Sequence, residues 1–359
     1  MNAFDAARRR VLRSGLGLAA GAAGLSMAGR SAAAADGAAG AAGAAPRIAF
    51  LDRAAAADAL AHGDGYYADM GLLEIRARMQ SALPGMALAE ARLAVRDFDA
   101  AAALPFNDEE RAAIAGVVER MQPLLAARAP LYARTPWSFI QLDDRAEGGM
   151  PHTRGPHIVL PRAAVASYVK LHRDASAAGT LAGTPRGRGL LLHEQTHVLQ
   201  RRDPARFEPL FTQVFGFARM APAPANAWLS AHRCINPDGP DVAWAFPLEK
   251  IGGSGWLMPD VTMPDKPVPR MPQDFESVGV EVARAADGWR VVERDGRPAR
   301  RDLDQVPGWH AHFPFPDEDF HPNEIAAVAL SHWILRDVPD LDARPLMPAL
   351  ADWAKAALA

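Results

Sequence analysis

Cysteine is almost absent from this chain of 359 residues, which contains Cys234 and no other thiol. A single cysteine excludes an internal disulfide bond and the cysteine-rich zinc clusters of small metal-binding domains. Lysine is also scarce, because only four of the 39 basic residues are lysine, and the net charge is −3. Without a global positive field, the composition predicts no nucleic-acid partner.

Long apolar runs are missing as well. Residues 15–28 are mildly apolar, but this run is shorter than the roughly 20 residues that a membrane-spanning helix needs. It lies between an arginine triplet at 8–10 and an alanine triplet at 33–35, an order typical of a twin-arginine export signal. We therefore expect residues 1–35 to be a signal peptide and the mature protein to be periplasmic or secreted, with no stable membrane insertion.

The remaining chain is long and apolar enough for a sizeable core, since 49% of all residues are hydrophobic. Residues 36–46 are almost all alanine and glycine and predict a flexible leader. Residues 47–359 are expected to form one domain, with a helical part at 47–134, a sheet and the functional helix at 135–220, and a C-terminal part at 221–359. The predicted fold class is α+β, with a small mixed sheet and a mainly helical remainder.

Local patterns place several elements on this chain. Asn107 and Glu110 form a capping-box pattern that predicts the start of a helix reaching about residue 127, with Pro123 inside it. Alternating and helical apolar spacings predict strands at Trp137–Leu142, 157–160, 278–284 and 289–293, and helices at 162–175, 204–220, 321–336 and 341–358.

The most informative segment is residues 193–197, which read His-Glu-Gln-Thr-His. The apolar residues around it predict a largely buried helix over 189–201. Positions four apart share one helix face, so His193 and His197 can turn two ring nitrogens toward one metal ion. The alternative is a core helix whose histidines bond only to backbone or polar neighbours.

This segment resembles the metal-binding motif of the zincin metallopeptidases. The resemblance implies that His193 and His197 bind Zn²⁺ and that Glu194 is the general base. It also implies a zincin-like fold, in which an edge strand beside the cleft pairs with an extended peptide substrate. Our candidate for this edge is the segment 149–160, with His152 and Thr153 near its cleft end. A polar turn that faces only solvent is an equal alternative for these two residues.

A third ligand is needed for a catalytic zinc site. Asp203 has the offset of the metzincin third ligand, but Gln200 stands where that pattern needs a helix-breaking glycine. Glu324 opens a very apolar predicted helix, and a carboxylate buried there must be paired or metal-bound. The Asn323–Glu324 opening resembles the gluzincin, thermolysin-like branch, where the glutamate is a zinc ligand. Its alternative role is to complement the helix dipole. Glu249 is a more distant candidate, because the sequence at 246–249 predicts no helix.

The chain departs from the gluzincin pattern at Val328, where the family often has an aspartate that orients a zinc-bound histidine. A backbone carbonyl, Asp319 or Ser331 would then hold the ring of His193. The residue that stabilises the oxyanion is also open, and the candidates are His232, Arg233, His310 and His312. We expect His310 and His312 to alternate on an extended segment.

Together these patterns predict an exported zinc metallopeptidase that hydrolyses amide bonds of a peptide or protein substrate with a zinc-activated water. One alternative is a non-catalytic zinc-binding or peptide-binding protein that keeps a zincin fold. A second is an enzyme that cleaves cell-wall peptide cross-links, with Trp228, Trp244 and Trp256 stacking on sugars. The sequence leaves the oligomeric state open.

Overall fold

The computed structural model describes residues 45–63, 65–177, 185–239, 243–315 and 319–359. The strands are β1 (Ile48–Phe50), β2 (Ala103–Leu104), β3 (Trp137–Leu142), β4 (His152–Arg154), β5 (His157–Pro161), β6 (Ala218–Met220), β7 (Ala243–Pro247), β8 (Trp256–Thr262), β9 (Glu276–Ala285), β10 (Gly288–Val291), β11 (Glu293–Arg294), β12 (Arg297–Pro298) and β13 (Arg300–Asp302). The helices are α1 (Arg53–His62), α2 (Leu72–Met79), α3 (Leu88–Ala101), α4 (Asp108–Arg128), α5 (Pro130–Arg134), α6 (Arg162–Ala177), α7 (Pro185–Arg202), α8 (Pro204–Pro209), α9 (Ala227–His232), α10 (Trp309–His312), α11 (Pro322–Leu335) and α12 (Met347–Ala357).

The predicted signal peptide at 1–35 and most of the predicted leader lie outside the described residues. Among the helices that are described, none has both the length and the apolar composition required to cross a bilayer.

The first sheet is small and mixed, with the strand order β1-β3-β5-β4. Strand β3 lies parallel to both β1 and β5, while β2 pairs antiparallel with its far end. Buried aromatic side chains at Trp137 and Phe139 anchor β3 in the main core. The last strand, β4, runs antiparallel to β5 and forms the edge of the sheet.

The second sheet is antiparallel, with the order β10-β9-β8-β7-β6 and with β13 beside β9. The predicted hairpin at 278–284 and 289–293 is confirmed, because β9 and β10 pair from Gly288 opposite Ala285 to Val291 opposite Val282. A separate short ribbon joins β11 and β12. Two small sheets with many helices make the fold mixed α+β, as expected.

Local capping explains where α4 begins. The Asn107 side chain accepts a hydrogen bond from the Glu110 backbone amide at 2.9 Å, and the Glu110 carboxylate accepts one from the Asn107 amide at 2.8 Å. This reciprocal pair satisfies two amides that have no partner within the helix. The predicted helix is confirmed, and it continues past Pro123 to Arg128.

Two predicted helices are wrong in extent. The helix expected over 204–220 ends in a π-helical turn at Leu210–Val214, and Gly216, with a φ of 84°, turns the chain into β6. The helix expected over 341–358 is split, because Leu346 has a φ of 62° just before α12. Backbone in the left-handed region ends a right-handed helix.

The core lies around α7 and α11, which pack against each other. Apolar side chains bury α7 on most sides, and α11 is apolar around nearly its whole circumference. Such a helix must be covered on every face, so the two helices lie in the middle of the protein. This packing places the first turn of α11 beside the centre of α7.

Candidate metal centre

The two histidines lie one turn apart on α7, as their spacing predicts. Leu191, Leu192 and Val198 face the core, so the polar face of the helix is fixed. The imidazole rings stand edge to face with their centroids 4.7 Å apart, and their Nε2 atoms are 3.0 Å apart. His197 is fully buried, and the His193 side chain is 19% exposed.

Glu324 comes from the first turn of α11 and completes the group. Its Oε2 atom lies 3.2 Å from His193 Nε2 and 3.3 Å from His197 Nε2. Pro322 occupies the first helical position, and His321 is the N-cap. Among the described residues, these three are the only group of His, Cys, Asp or Glu whose ligand atoms come close enough together to hold a metal ion.

The donor set fits zinc. Tetrahedral zinc with bonds of about 2.0–2.1 Å holds its ligand atoms roughly 3.3–3.4 Å apart, close to the three separations here. The orientation of His197 also fits, because its Nδ1 atom lies 2.9 Å from the Gln200 amide oxygen. That oxygen can only accept, so Nδ1 carries the proton and Nε2 presents a lone pair to a bound cation.

Charge at this site is strongly coupled. Burial would lower the pKa of His197, but the charge and hydrogen bond of Glu324, together with the charges of Asp238 and Glu194, outweigh it and raise that pKa to about 10. Burial would conversely raise the pKa of Glu324, and the charge of His197 holds it well below its usual range. In the absence of a cation the pair is therefore an imidazolium and a carboxylate, and a bound metal ion must displace a proton.

The other oxygen of Glu324 is occupied by amides. Oε1 accepts hydrogen bonds from Asn236 Nδ2 at 2.6 Å and from Asn323 Nδ2 at 3.2 Å. Gln200 connects the two helices further, because its Nε2 donates to the Asn323 backbone carbonyl at 3.0 Å. These bonds turn one oxygen of the carboxylate toward the histidines and hold it there.

Glu194 is buried beside the histidines on α7, with an exposure of 3%. Burial raises the pKa of the Tyr168 hydroxyl, and the charge of Glu194 raises it further, so Glu194 acts electrostatically on this tyrosine. This hydroxyl donates to the Gly187 carbonyl. A buried carboxylate beside two imidazoles can accept a proton from a water molecule bound between them.

The predicted edge segment 149–160 contains two strands. Strand β4 is the edge, β5 is its inner neighbour, and Gly149 belongs to a preceding 3₁₀ turn. His152 and Thr153 are both buried on β4, so the alternative of a turn facing only solvent is wrong. Thr153 contacts the site indirectly, since its amide donates to Asp238 Oδ1 at 2.5 Å.

The other ligand candidates lie elsewhere. Asp203 is the N-cap of α8 and pairs with Arg206. Without a glycine at position 200 we expected the helix to continue and carry Asp203 past the metal, and this is wrong because α7 ends at Arg202. Glu249 lies in a 3₁₀ turn, Leu248–Ile251, where we expected no helix, and it accepts from the Gly255 amide.

The expected partners of His193 and the expected oxyanion donors also have other contacts. Asp319 bonds to His310, and the Ser331 hydroxyl donates to the Ala327 carbonyl. The expectation of an extended segment at His310 and His312 is wrong, because Gly308, with a φ of 80°, starts the short helix α10. His232 bonds to Asp265, and Arg233 to Asp260. None of these contacts brings the four candidates to His193, His197 or Glu324.

Two residues that were not among the candidates from the sequence also lie at the site. Asn236 bonds to Glu324, and Asp238 is half-buried within electrostatic reach of His197 and Glu324. Burial raises the pKa of Asp238, and the charge of His197 opposes this shift. Their turn-forming composition hid them, because Asn, Pro, Asp and Gly are common in turns without any ligand.

In comparisons with known proteins, no family model, curated protein or solved structure matches this chain.

Proposed function

We propose that this protein is an exported zinc-dependent metallopeptidase with a divergent zincin-like fold, and that it hydrolyses amide bonds. The observation that carries the proposal is the convergence of His193, His197 and Glu324, from two helices far apart in sequence, within 3.3 Å of one another. Glu194 next to this group favours hydrolysis over a purely structural metal site.

Zinc at this position would polarise a substrate carbonyl and make an attacking water more acidic. The two imidazoles and Glu324 would hold the ion, with Gln200, Asn236 and Asn323 fixing their orientation. Glu194 would accept the proton of the attacking water and later donate it to the leaving amine. The buried position of Glu194 would keep this carboxylate away from competing bulk water.

The test combines metal content with turnover. The mature protein is purified, its zinc per chain is measured, and cleavage of a mixed peptide library is followed by mass spectrometry. We expect one zinc per chain. Glu194→Gln should keep this zinc and lose about 10²–10⁴-fold in activity, the usual contribution of a general base. Glu324→Gln should lose zinc affinity as well, because it removes a charged ligand.

Asp203→Asn is the matched control, since asparagine also caps α8 and Asp203 lies outside the ligand group. It should retain zinc and activity. Zinc retained by the parent without hydrolysis of any peptide would contradict the enzymatic proposal and favour a binding protein. Equal activity of the parent and Glu194→Gln would remove Glu194 from its role.

A further inference from the structure

The free side of the edge strand is not open along its whole length. Within the described residues β4 pairs only with β5, and the Thr153 amide points away from β5 toward Asp238. Asp238 Oδ1 accepts from this amide at 2.5 Å and from the Thr153 hydroxyl at 3.2 Å. In strand addition, the Thr153 amide would donate to a carbonyl of the added strand. Here it already donates to the Asp238 carboxylate.

The segment 236–239 connects this edge to the metal ligands. Asn236 bonds to Glu324, and Gly239 packs so tightly against Asn323 that a Cβ atom on it would lie 2.6 Å from Asn323 Nδ2. Asp238 lies between these two contacts in sequence. The Asp238 carboxylate is thus fixed between the edge strand and the first turn of α11. The residue as a whole is partly buried.

The electrostatics of this position favour a positive group. Asp238, Glu194 and Glu324 contribute three carboxylates around two imidazoles, which exceeds the double positive charge of one zinc ion. Asp238 Oδ1 already has amide and hydroxyl donors, and a cationic partner at the other oxygen would stabilise this carboxylate further.

We propose that Asp238 binds the protonated α-amino group of a peptide, so that the site takes the amino-terminal end of a chain and not its interior. This inference rests on the proposed peptidase function and specifies its substrate class. Because the Thr153 amide already donates to Asp238, an extended peptide cannot continue its pairing with β4 past Thr153. A chain that ends there with a charged amine fits both the shortened edge and the negative charge.

The test measures binding and cleavage with paired peptides that lack lysine, one with a free amino terminus and one with an acetylated terminus. Binding is measured by calorimetry on zinc-loaded Glu194→Gln, near pH 6.5, where an α-amino group with a pKa of about 7.7–8.0 is charged. We expect the free peptide to bind about tenfold or more tightly, as a hydrogen bond to a charged group implies. The parent enzyme should cleave the free peptide preferentially.

Asp238→Asn separates charge from structure, because asparagine can still accept from the Thr153 amide. Introduced into Glu194→Gln, it should bind zinc and abolish the preference for the free amine. Asp238→Ala should expose the Thr153 amide and improve binding of the acetylated peptide. Asp203→Asn, which removes one carboxylate outside the site, should leave the preference unchanged.

The outcomes distinguish the two proposals. Equal binding and equal cleavage of free and acetylated peptides would overturn the role of Asp238 and leave the peptidase function standing. A preference that survives Asp238→Asn would also overturn it. If zinc binds but neither peptide is bound or cleaved, both the peptidase function and this inference are wrong.

Discussion

At the scale of single residues, the candidate centre depends on what each ligand does with its second polar atom. The Nδ1 atom of His197 bonds to Gln200, and the Oε1 atom of Glu324 accepts from two asparagine side-chain amides. These partners bind the outward atoms, and the inward atoms, His193 Nε2, His197 Nε2 and Glu324 Oε2, face one another. Orientation of this kind is what separates a metal site from an accidental cluster of polar side chains.

A similar imidazole–carboxylate contact away from the centre gives a prediction of pH dependence. The hydrogen bond between His310 Nδ1 and Asp319 Oδ2 raises the pKa of His310; burial opposes this, and the charges of Asp319 and Asp304 reinforce it. The protonated His310 ring therefore stabilises the folded protein. This stabilisation is complete below the unfolded-state pKa of about 6.5 and is lost as pH rises through the higher folded-state pKa. His310→Gln should therefore lower the urea midpoint more at about pH 6 than at about pH 9.

Titration of the ring by NMR measures the same shift directly, and Asp319→Asn should lower the pKa of His310. His62→Gln is the control, because its ring is exposed and pairs with the exposed Asp58. A midpoint difference for His310→Gln that does not change between the two pH values would contradict the prediction.

At the scale of elements, the segment after α9 acts as a spacer between the edge strand and α11. Gly239 makes the closest approach, and Asn323 opposite it is fully buried. A buried, hydrogen-bonded amide has little room to retreat, so the contact depends on the missing side chain at 239.

Gly239→Ala should therefore push the Asn323 amide away from Glu324 and weaken zinc binding about 10–100-fold, as the loss of a residue that orients a ligand typically does. Gly189→Ala in α7 is the matched control, since its Cβ would lie 3.9 Å from Leu335 Cδ1, an ordinary contact. The control should bind zinc like the parent and gain some stability, because alanine favours a helix. Competition with a fluorescent chelator gives both affinities, and unchanged affinity in Gly239→Ala would refute the spacer role.

At the scale of the whole molecule, a buried charge cluster connects the N-terminal helices to the site. Arg78 and Glu74 on α2 bond to each other, with Arg78 Nη2 at 2.6 Å from Glu74 Oε1. Arg78 also pairs with Glu147. Arg78 donates to the Ile235 backbone carbonyl at 3.1 Å, and Glu74 accepts from the Ile235 backbone amide at 3.0 Å. Ile235 precedes Asn236, so this cluster fixes where the segment 236–239 begins.

Arg78→Met should destabilise the protein by about 3–5 kcal/mol, because it leaves Glu74 and Glu147 buried without their cation. Chemical denaturation of the zinc-free protein measures the loss. Arg173→Met, which removes an exposed pair with Glu109, should leave the midpoint nearly unchanged, since solvent-exposed ion pairs contribute little. A midpoint for Arg78→Met equal to that of the control would show that the buried cluster is not a determinant of stability.

The sequence by itself determined the features that depend on neighbouring residues. The His193–His197 spacing, the capping box at Asn107, strand β3 and the β9–β10 hairpin follow from patterns within a few residues, and the structure contains all of them. Local patterns failed where a single backbone angle decides, as at Gly216 and Gly308, because composition does not fix the φ of a glycine.

Only the tertiary structure decided which distant groups meet. The packing of α7 on α11 brings Glu324 to the histidines and leaves Asp203 outside, although both acids were candidates by sequence. It also brings Asn236 and Asp238 to the site from a turn whose composition is ordinary. Long-range contacts of this kind depend on how apolar faces cover one another across the whole chain, and no short pattern contains that information.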